Sequence, residues 1–221
     1  MISKFSDGRT DLVFDLIAQG YDAKFTDPHG TSLISWCAYY GDVSAIKYLI
    51  SKGASLKDLG ENFDLNGAVF HGHWQLTQFL LEQGADVNHA LPDTGETALH
   101  SALCKVNNPV YARIIELLLA HGANPNIATK PRQETGSFMR DTFTKQETPL
   151  HRAAAFASAG TIKRLLDAGA DKTIKDMNGD TPLSWASWHL RPDHILAMLC
   201  YGKYAIHPER VKRALDEYLP G

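Results

Sequence analysis

The sequence repeats itself, and this constrains the fold most, because a tandem repeat restricts a chain to architectures that stack one unit on the next. The segment DPHGTSLISWCAYYGD (27–42) aligns without gaps with DMNGDTPLSWASWHLR (176–191). Two segments between them, GETALHSALCK and QETPLHRAAAFAS, share a T-x-L-H core. A glycine also follows each apolar run, at Gly20, Gly53, Gly84, Gly122, Gly169 and Gly202. The chain is therefore predicted to be an array of similar units.

The apolar residues of each unit recur at helical spacing, as in the run Val43, Ile46, Leu49 and Ile50. A single helix pair cannot bury such a face, whereas neighbouring pairs can bury it against one another. The recurring glycine suits the left-handed residue that ends a helix. Residues suited to helix starts occupy the cap and first-turn positions, namely Thr97, Thr148, Thr181, Pro149 and Pro182.

These residues resemble the ankyrin repeat family, whose unit of about 33 residues is a β-turn followed by two antiparallel helices. Matched to the family's T-P-L-H start, five full units begin at Ser32, Phe63, Thr97, Thr148 and Thr181. In four of them 21 positions separate the start from the closing glycine. The resemblance implies an all-α ankyrin-repeat solenoid of about six stacked helix–turn–helix units with β-turn fingers, plus a C-terminal capping helix.

We expect a single ankyrin-repeat domain over residues 1–221. Its predicted parts are a truncated N-terminal unit (1–27), full units (28–59, 60–93, 94–128, 144–176 and 177–206), an extended finger insertion (129–143) and the capping helix (207–221). The insertion is indicated by the 26 positions between Gly122 and Thr148, against 10 to 13 at the other junctions, and a two-stranded extension is expected in it. Phe63 stands where a capping threonine belongs, so its helix is predicted to start loosely.

Composition argues against several classes of protein. The chain has 22 Lys and Arg against 25 Asp and Glu, which gives no general attraction to nucleic acid or anionic membrane. It lacks the run of about 20 apolar residues of a membrane span, and Asp7 and Asp11 fall where a signal peptide needs an apolar core. Three widely spaced cysteines favour a reducing compartment. We expect a cytoplasmic protein, and a secreted effector without an N-terminal signal is the alternative.

The sequence carries no common catalytic or nucleotide-binding motif. His100 and His151 stand at the T-x-L-H position, where the resemblance implies an imidazole bonded to the backbone at the finger base. His71 and His73 could suggest a metal pair, but Gly72 and His73 match the family's G-H between helices. We therefore predict a protein that is not an enzyme and has no metal site and no cofactor.

The resemblance implies recognition through the concave side, formed by finger tips and the exposed face of each first helix. Of the fifteen residues at the fifth, eighth and ninth places of the units, seven are Phe, Tyr or Trp, against 10% aromatic residues overall. The predicted partner-binding residues are Trp36, Tyr39, Tyr40, Phe70, His71, Lys105, Arg152, Phe156, Trp185, Trp188 and His189. Lys105 and Arg152 are expected to act as charged clamps. For Trp36 and Trp185, packing between neighbouring helices is the alternative.

The long finger is a second candidate contact, through Phe138, Met139, Arg140 and Phe143, with simple flexibility as the alternative. The function predicted from these features is a non-catalytic, monomeric protein-interaction module with one unidentified protein partner, of adaptor, inhibitor or effector type. The alternative is a nucleotide, oligonucleotide or small-ligand sensor that uses aromatic stacking in the same groove. Nucleic acid is disfavoured by the weak positive charge. Asn88 and Asn126 also resemble ankyrin asparagines that are hydroxylated in animal cells.

Overall fold

The structure, a computed structural model, describes residues 2–104, 108–135 and 142–202. These residues form eleven α-helices and one two-stranded sheet. The helices are α1 Leu12–Ala18, α2 Leu33–Tyr39, α3 Val43–Ser51, α4 Leu65–Phe70, α5 Trp74–Glu82, α6 Ala98–Ala102, α7 Pro109–Ala120, α8 Pro149–Phe156, α9 Ala159–Asp167, α10 Pro182–Trp188 and α11 Asp193–Leu199. The strands are β1 Pro131–Thr135 and β2 Thr142–Lys145. The predicted capping helix over 207–221 lies outside the described residues.

The helices pack as consecutive hairpins, which confirms the predicted ankyrin-type, mainly α-helical fold. Helix α2 pairs with α3, α4 with α5, α8 with α9, and α10 with α11. The chain divides into two compact lobes, a first lobe of residues 1–90 and 109–123 and a second lobe of residues 91–108 and 124–221. No helix within the described part of the chain combines the length and the apolar character that a membrane crossing requires.

Stacking of like helices builds the core of each lobe. In the first lobe α3 packs on α1 and α5, and α5 packs on α7, so that Ile46, Leu80 and Ile114 are completely buried. In the second lobe α8 packs on α6 and α10, with Leu150 and Leu165 completely buried. Each such side chain contributes about 1.5–3 kcal/mol when removed from water. The apolar residues that recur at helical spacing are therefore the ones that pack between neighbouring helices.

In two helices of the second lobe, the histidine at the third helical position takes part in the N-terminal cap. The Nδ1 atom of His100 accepts the Thr97 backbone N–H at 3.1 Å, and its Nε2 atom lies 3.3 Å from the Glu147 carbonyl oxygen. His151 makes the same pair of contacts, with the Thr148 N–H at 3.1 Å and the Asp180 carbonyl oxygen at 3.1 Å. A backbone N–H can only donate, so both imidazoles are neutral, with the proton on Nε2. The backbone role predicted for these histidines is confirmed.

The glycines that follow the helices have the predicted left-handed backbone. All six have positive φ angles, which range from 52° at Gly202 to 105° at Gly53. A residue with a side chain is strained in this conformation, which explains why the repeat keeps glycine there.

The start of α4 departs from the expectation. The predicted loose start is wrong, because the cap has moved by one residue to Asp64, whose carboxylate accepts the Gly67 N–H at 3.1 Å. Asn62, Phe63 and Asp64 all have left-handed backbone, with φ of 50°, 56° and 53°. This costs on the order of 1 kcal/mol or more per residue. The Asn62 amide helps to offset the cost by bonding both to the Asp86 carbonyl oxygen and to the Asp86 N–H.

The long finger contains the two-stranded extension that was predicted. Strand β1 pairs antiparallel with β2, and Thr135 lies opposite Thr142 at the far end of the pairing. At the base, the Thr144 hydroxyl donates to the Lys130 carbonyl oxygen, and the Lys130 ammonium group donates to the Pro92 carbonyl oxygen at 2.5 Å. The ribbon is therefore fixed to the second lobe where it leaves the stack.

We expect the protein to lose stability between pH 7 and pH 5. Burial lowers the pKa of His100 to about 3 and also lowers the pKa of His151, whereas the unfolded chain protonates histidine near pH 6.5. The unfolded state thus binds more protons, so the free energy of unfolding falls as the pH drops through this window. Urea unfolding followed by circular dichroism at both pH values measures it. The variant His100→Asn should have a flatter pH profile, and an equal profile would contradict this assignment.

Candidate functional site

The first lobe contains an aromatic pocket of about 550 Å³. It lies between the α2 side of the lobe and the strained segment that precedes α4. Its lining residues are Ser6, Thr31, Ser35, Trp36, Ala38, Tyr39, Tyr40, Leu59, Phe63, Asp64, Gly67, Ala68, His71 and Leu76. A pocket of this volume is in the range that holds a small ligand or one large side chain. Four of the predicted binding residues, Trp36, Tyr39, Tyr40 and His71, meet in it.

The Tyr39 ring stands nearly perpendicular to the rings of Trp36 and Tyr40, which lie 6.4 Å apart at an interplanar angle of 20°. The centroid of Tyr39 lies 6.2 Å from that of Trp36 and 5.0 Å from that of Tyr40, with interplanar angles of 83° and 87°. The His71 ring lies 4.9 Å from the Tyr39 ring. Rings in different planes can contact one rounded group from several sides, so this wall suits a bulky ligand.

Two fixed contacts position the wall. The Trp36 indole Nε1–H donates to the Asp27 carboxylate at 3.0 Å, and Asp27 in turn accepts the backbone N–H groups of His29 and Thr31 in the finger turn. The Tyr40 hydroxyl donates to the Ser6 carbonyl oxygen at 2.5 Å. Both rings are half-buried, whereas Tyr39 between them is 52% exposed. Trp36 thus combines the packing role that was the alternative with a place in the pocket wall.

Phe63 and Asp64 complete the pocket, and the sequence analysis did not assign them to it. Asp64 is exposed overall, but partial burial of its carboxyl group raises its pKa, against the opposing effects of the Gly67 N–H and of His71. Three consecutive left-handed residues hold this segment against the pocket. The missing threonine at position 63 was the available signal, since it marks the repeat whose helix start differs.

Phe70 lies outside the pocket lining. It is half-buried, its ring contacts His71 at 5.4 Å, and its carbonyl oxygen accepts the Tyr111 hydroxyl at 2.7 Å.

The second lobe exposes a separate apolar surface at the ends of α8 and α10, which we call the second-lobe patch and define as Phe156, Trp188, His189 and Leu190. Trp188 is 78% exposed and Leu190 is 91% exposed. The Phe156 and His189 rings are in contact, with centroids 4.6 Å apart. Partial burial, together with the positive charges of Lys145 and Arg191, lowers the pKa of His189.

Trp185 does not belong to this exposed surface. It is only 7% exposed, and its indole Nε1–H donates to the Asp176 carboxylate at 3.0 Å. The prediction that it contacts a partner is wrong, and the packing alternative is correct. The Trp185 ring lies 5.5 Å from the His151 ring of α8, and the Lys145 ammonium group lies 5.5 Å from the Trp185 ring. The bond to Asp176 matches the bond that Trp36 makes with Asp27.

Arg152 is completely buried, so its predicted role as a surface clamp is wrong. Its Nη2 atom lies 2.6 Å from Oε1 of Glu96 and 2.6 Å from Oε1 of Glu147, both of which are also buried. Its Nη1 atom donates to the His100 carbonyl oxygen at 3.3 Å and to the Cys104 sulfur at 3.4 Å. The guanidinium is therefore fully engaged inside the second lobe.

This buried ion cluster also ties down the long finger. The Thr135 hydroxyl of β1 donates to Glu96 at 2.9 Å, and the Thr129 hydroxyl and the Lys145 N–H both donate to Glu147 at 2.7 Å. Burial alone would raise the pKa of Glu147, but Arg152 and these donors hold it below its ordinary value. The cluster thus joins two helix starts to both strands of the ribbon.

Several predicted residues lie outside the described part of the chain, namely Lys105, Phe138, Met139 and Arg140. Phe143 on β2 is described and is 53% exposed. Burial raises the pKa of the Cys37 thiol to about 12 and that of Cys104 to about 11, so neither forms a thiolate nucleophile near neutral pH. Within the described ranges no group of three or more His, Cys, Asp or Glu residues is placed to hold a metal ion.

Comparison with protein families gives matches along most of the chain. The model described as "Ankyrin repeats (3 copies)" matches residues 1–90, and the one described as "Ankyrin repeat" matches residues 94–130 and 145–177. Among solved structures, the crystal structure of the ankyrin repeat domain of Bcl-3 has a TM-score of 0.62 at 23% sequence identity. That match covers 88% of this chain and 78% of the other, and it shows similarity of fold alone.

The curated relatives are longer proteins. Palmitoyltransferase ZDHHC13 of Homo sapiens is 28% identical over 192 residues, which cover 78% of this chain and 31% of that protein. Ankyrin repeat and SOCS box protein 16 of Homo sapiens is 30% identical over 216 residues, covering 93% and 45%. Protein VAPYRIN-LIKE of Medicago truncatula is 26% identical over 228 residues, covering 82% and 47%. The chain spans about a third of the length of the palmitoyltransferase and less than half of the other two.

Removing the charge of Arg152 should destabilise the second lobe strongly, because Glu96 and Glu147 would be left as unpaired buried carboxylates. We expect Arg152→Met to reduce the free energy of unfolding by about 3–5 kcal/mol, measured by urea denaturation at neutral pH. The matched control adds Glu96→Gln and Glu147→Gln to the same chain and should recover a large part of the loss. A loss below about 1 kcal/mol for the single variant would mean that the carboxylates find other partners.

Proposed function

The chain belongs to the ankyrin repeat family, whose members are generally protein-interaction modules, and we propose that it binds a protein partner through the exposed aromatic residues of its first helices. Ankyrin repeats are typically non-catalytic, and the proposal gives this chain no catalytic role of its own. Its adaptor, inhibitor or effector character would then depend on the partner that it holds.

The observation that carries this proposal is the exposure of large rings at the ends of first helices. Tyr39 at the end of α2 is 52% exposed, Phe156 at the end of α8 is 38% exposed, and Trp188 at the end of α10 is 78% exposed. Large apolar side chains are costly to leave in water, and aromatic residues dominate the binding energy of protein interfaces. Tyr39 and Trp188 stand at the eighth place of their repeats and Phe156 at the ninth, so the same end of the first helix in three repeats supports a common binding role.

The two candidate surfaces differ in charge. The aromatic pocket of the first lobe has Asp64 in its wall. The second-lobe patch lies near Lys145 and Arg191, as the lowered pKa of His189 indicates. Complementary charges contribute to orientation and specificity in protein interfaces. A partner would be expected to present basic groups to the pocket and acidic groups to the patch.

Stacking of nucleotides in the same groove, the alternative from the sequence, is less well supported. That reading relied on Arg152 as one of two cations beside the rings, and Arg152 is buried between two glutamates. In the pocket, the carboxylate of Asp64 would repel a phosphate. We therefore retain the protein partner as the proposed function.

Alanine substitution of Tyr39 and of Trp188 should each weaken partner binding about tenfold or more, because exposed aromatic residues at an interface commonly contribute at least 1.4 kcal/mol. The partner is first recovered by affinity capture from cells of the source organism. The dissociation constant is then measured by calorimetry with purified proteins.

Tyr21→Ala is the matched control. Tyr21 is 44% exposed, but it lies in the loop after α1 and not on a first-helix surface. It should bind the partner as the unsubstituted chain does, and all three variants should keep their helical circular dichroism. If Tyr39→Ala and Trp188→Ala bind as tightly as Tyr21→Ala, the proposal is wrong.

A further inference from the structure

We infer that the aromatic pocket of the first lobe binds the ammonium group of a lysine side chain, preferentially a methylated one, presented by the protein partner. This inference rests on the proposed function, and it names the chemistry of the group that the pocket recognises. It follows from the ring geometry, the single carboxylate and the hydrogen bonding of that carboxylate.

The rings supply attraction for a cation. Trp36, Tyr39, Tyr40 and Phe63 all line the pocket, and the Tyr39 plane is within 10° of perpendicular to those of Trp36 and Tyr40. Aromatic faces carry partial negative charge and attract cations, most effectively at partly desolvated sites. The Trp36 and Tyr40 planes differ by only 20°, so with Tyr39 these three rings present two orientations. A rounded, methylated ammonium group can contact rings of both orientations at once, whereas a planar group stacks on rings of one orientation.

The charged groups favour a positive ligand. Of the described residues that line the pocket, Asp64 alone has a carboxylate, and none is a lysine or an arginine. An apolar ligand would cover the Asp64 carboxylate without compensating its charge, which is unfavourable. An ammonium group would compensate it. A proline-rich segment, which also stacks on aromatic residues, brings no cation to this carboxylate.

The hydrogen bonding of Asp64 separates ammonium from guanidinium. One carboxylate oxygen, Oδ1, already accepts the Gly67 N–H at 3.1 Å to cap α4. The guanidinium of arginine binds a carboxylate best when both oxygens are available side by side. An ammonium group needs one acceptor and a rounded space, and both are present. The pocket therefore fits a lysine-type cation better than an arginine.

The full chain is titrated with choline, a quaternary ammonium probe, and with 3,3-dimethylbutan-1-ol, which has the same shape without the charge. Binding is followed by the NMR signal of the Trp36 indole N–H, assigned by substituting each of the other three of the four tryptophans with phenylalanine. We expect choline to shift the Trp36 signal saturably and to leave the Trp188 signal unchanged. The uncharged probe should bind about tenfold more weakly. Measurement near pH 8 keeps positive charge on histidine side chains small.

Variants test the role of the carboxylate. Asp64→Asn keeps an oxygen that can accept the Gly67 N–H, so α4 should stay capped, and choline binding should fall about tenfold. Asp22→Asn removes a charge from the same lobe outside the pocket and should leave choline binding unchanged. Methylguanidinium should bind more weakly than choline.

Four results of the ligand titrations would each overturn the inference. These are an unshifted Trp36 signal, equal affinity for the uncharged probe, unchanged choline binding by Asp64→Asn, or tighter binding of methylguanidinium. Any of them can occur while Tyr39→Ala still weakens partner binding, in which case the proposed function stands without this ligand. Choline can also bind as expected while Tyr39→Ala and Asp64→Asn both leave the affinity for the partner unchanged. In that case the cation is not presented by the partner, and the inference also fails.

Discussion

A repeat must fix the start of its first helix to a finger, and four of the five full repeats do this in two ways. In two repeats a neutral histidine caps the helix and reaches forward, so that His100 bonds to the carbonyl oxygen of Glu147 and His151 to that of Asp180. Where serine replaces this histidine, at Ser35 and Ser184, the next residue is a tryptophan that bonds to the aspartate of its own finger. The forward bond links neighbouring repeats, as expected of an array whose stability comes from nearest-neighbour contacts. These contacts fix the starts of α2, α6, α8 and α10 and so help to place the residues that these helices expose.

The fifth place of the repeat shows how one position can serve different purposes. It holds Trp36 in the pocket wall, the buried Trp185 and the buried Arg152. The arginine is stable there only because two successive repeats carry a glutamate just before the helix cap, and these carboxylates bracket the guanidinium. Such a cluster costs much desolvation, and it is retained here where the inserted ribbon needs an anchor. The buried ion cluster and the ribbon of the long finger are thus bonded to each other.

The repeat pattern predicted the helical hairpins, the threonine caps, the left-handed glycines, the ribbon and the backbone role of His100. It could not predict the burial of Arg152, because that depends on Glu96, 56 positions away, and on the ribbon residues that close over the cluster. The pattern also could not predict the pocket, because alignment of the repeats places Phe63 at the position of a helix cap. In the structure Asp64 takes over the cap, and Phe63 joins the pocket lining. The period of the sequence thus predicts the backbone, whereas the chemistry of the pocket depends on Phe63 and Asp64, where the sequence departs from the repeat.

The anchoring of the ribbon has a consequence for protein engineering. Thr135 and Thr142 are held opposite each other, and Thr135 is bonded directly to the buried Glu96. The described ribbon therefore ends with these two residues opposite each other. Closing a longer loop between such points costs little additional entropy, because the cost grows only with the logarithm of loop length. The segment between these two threonines is thus a natural place to graft foreign peptides, from epitope tags to selected binding sequences, without altering the helical scaffold.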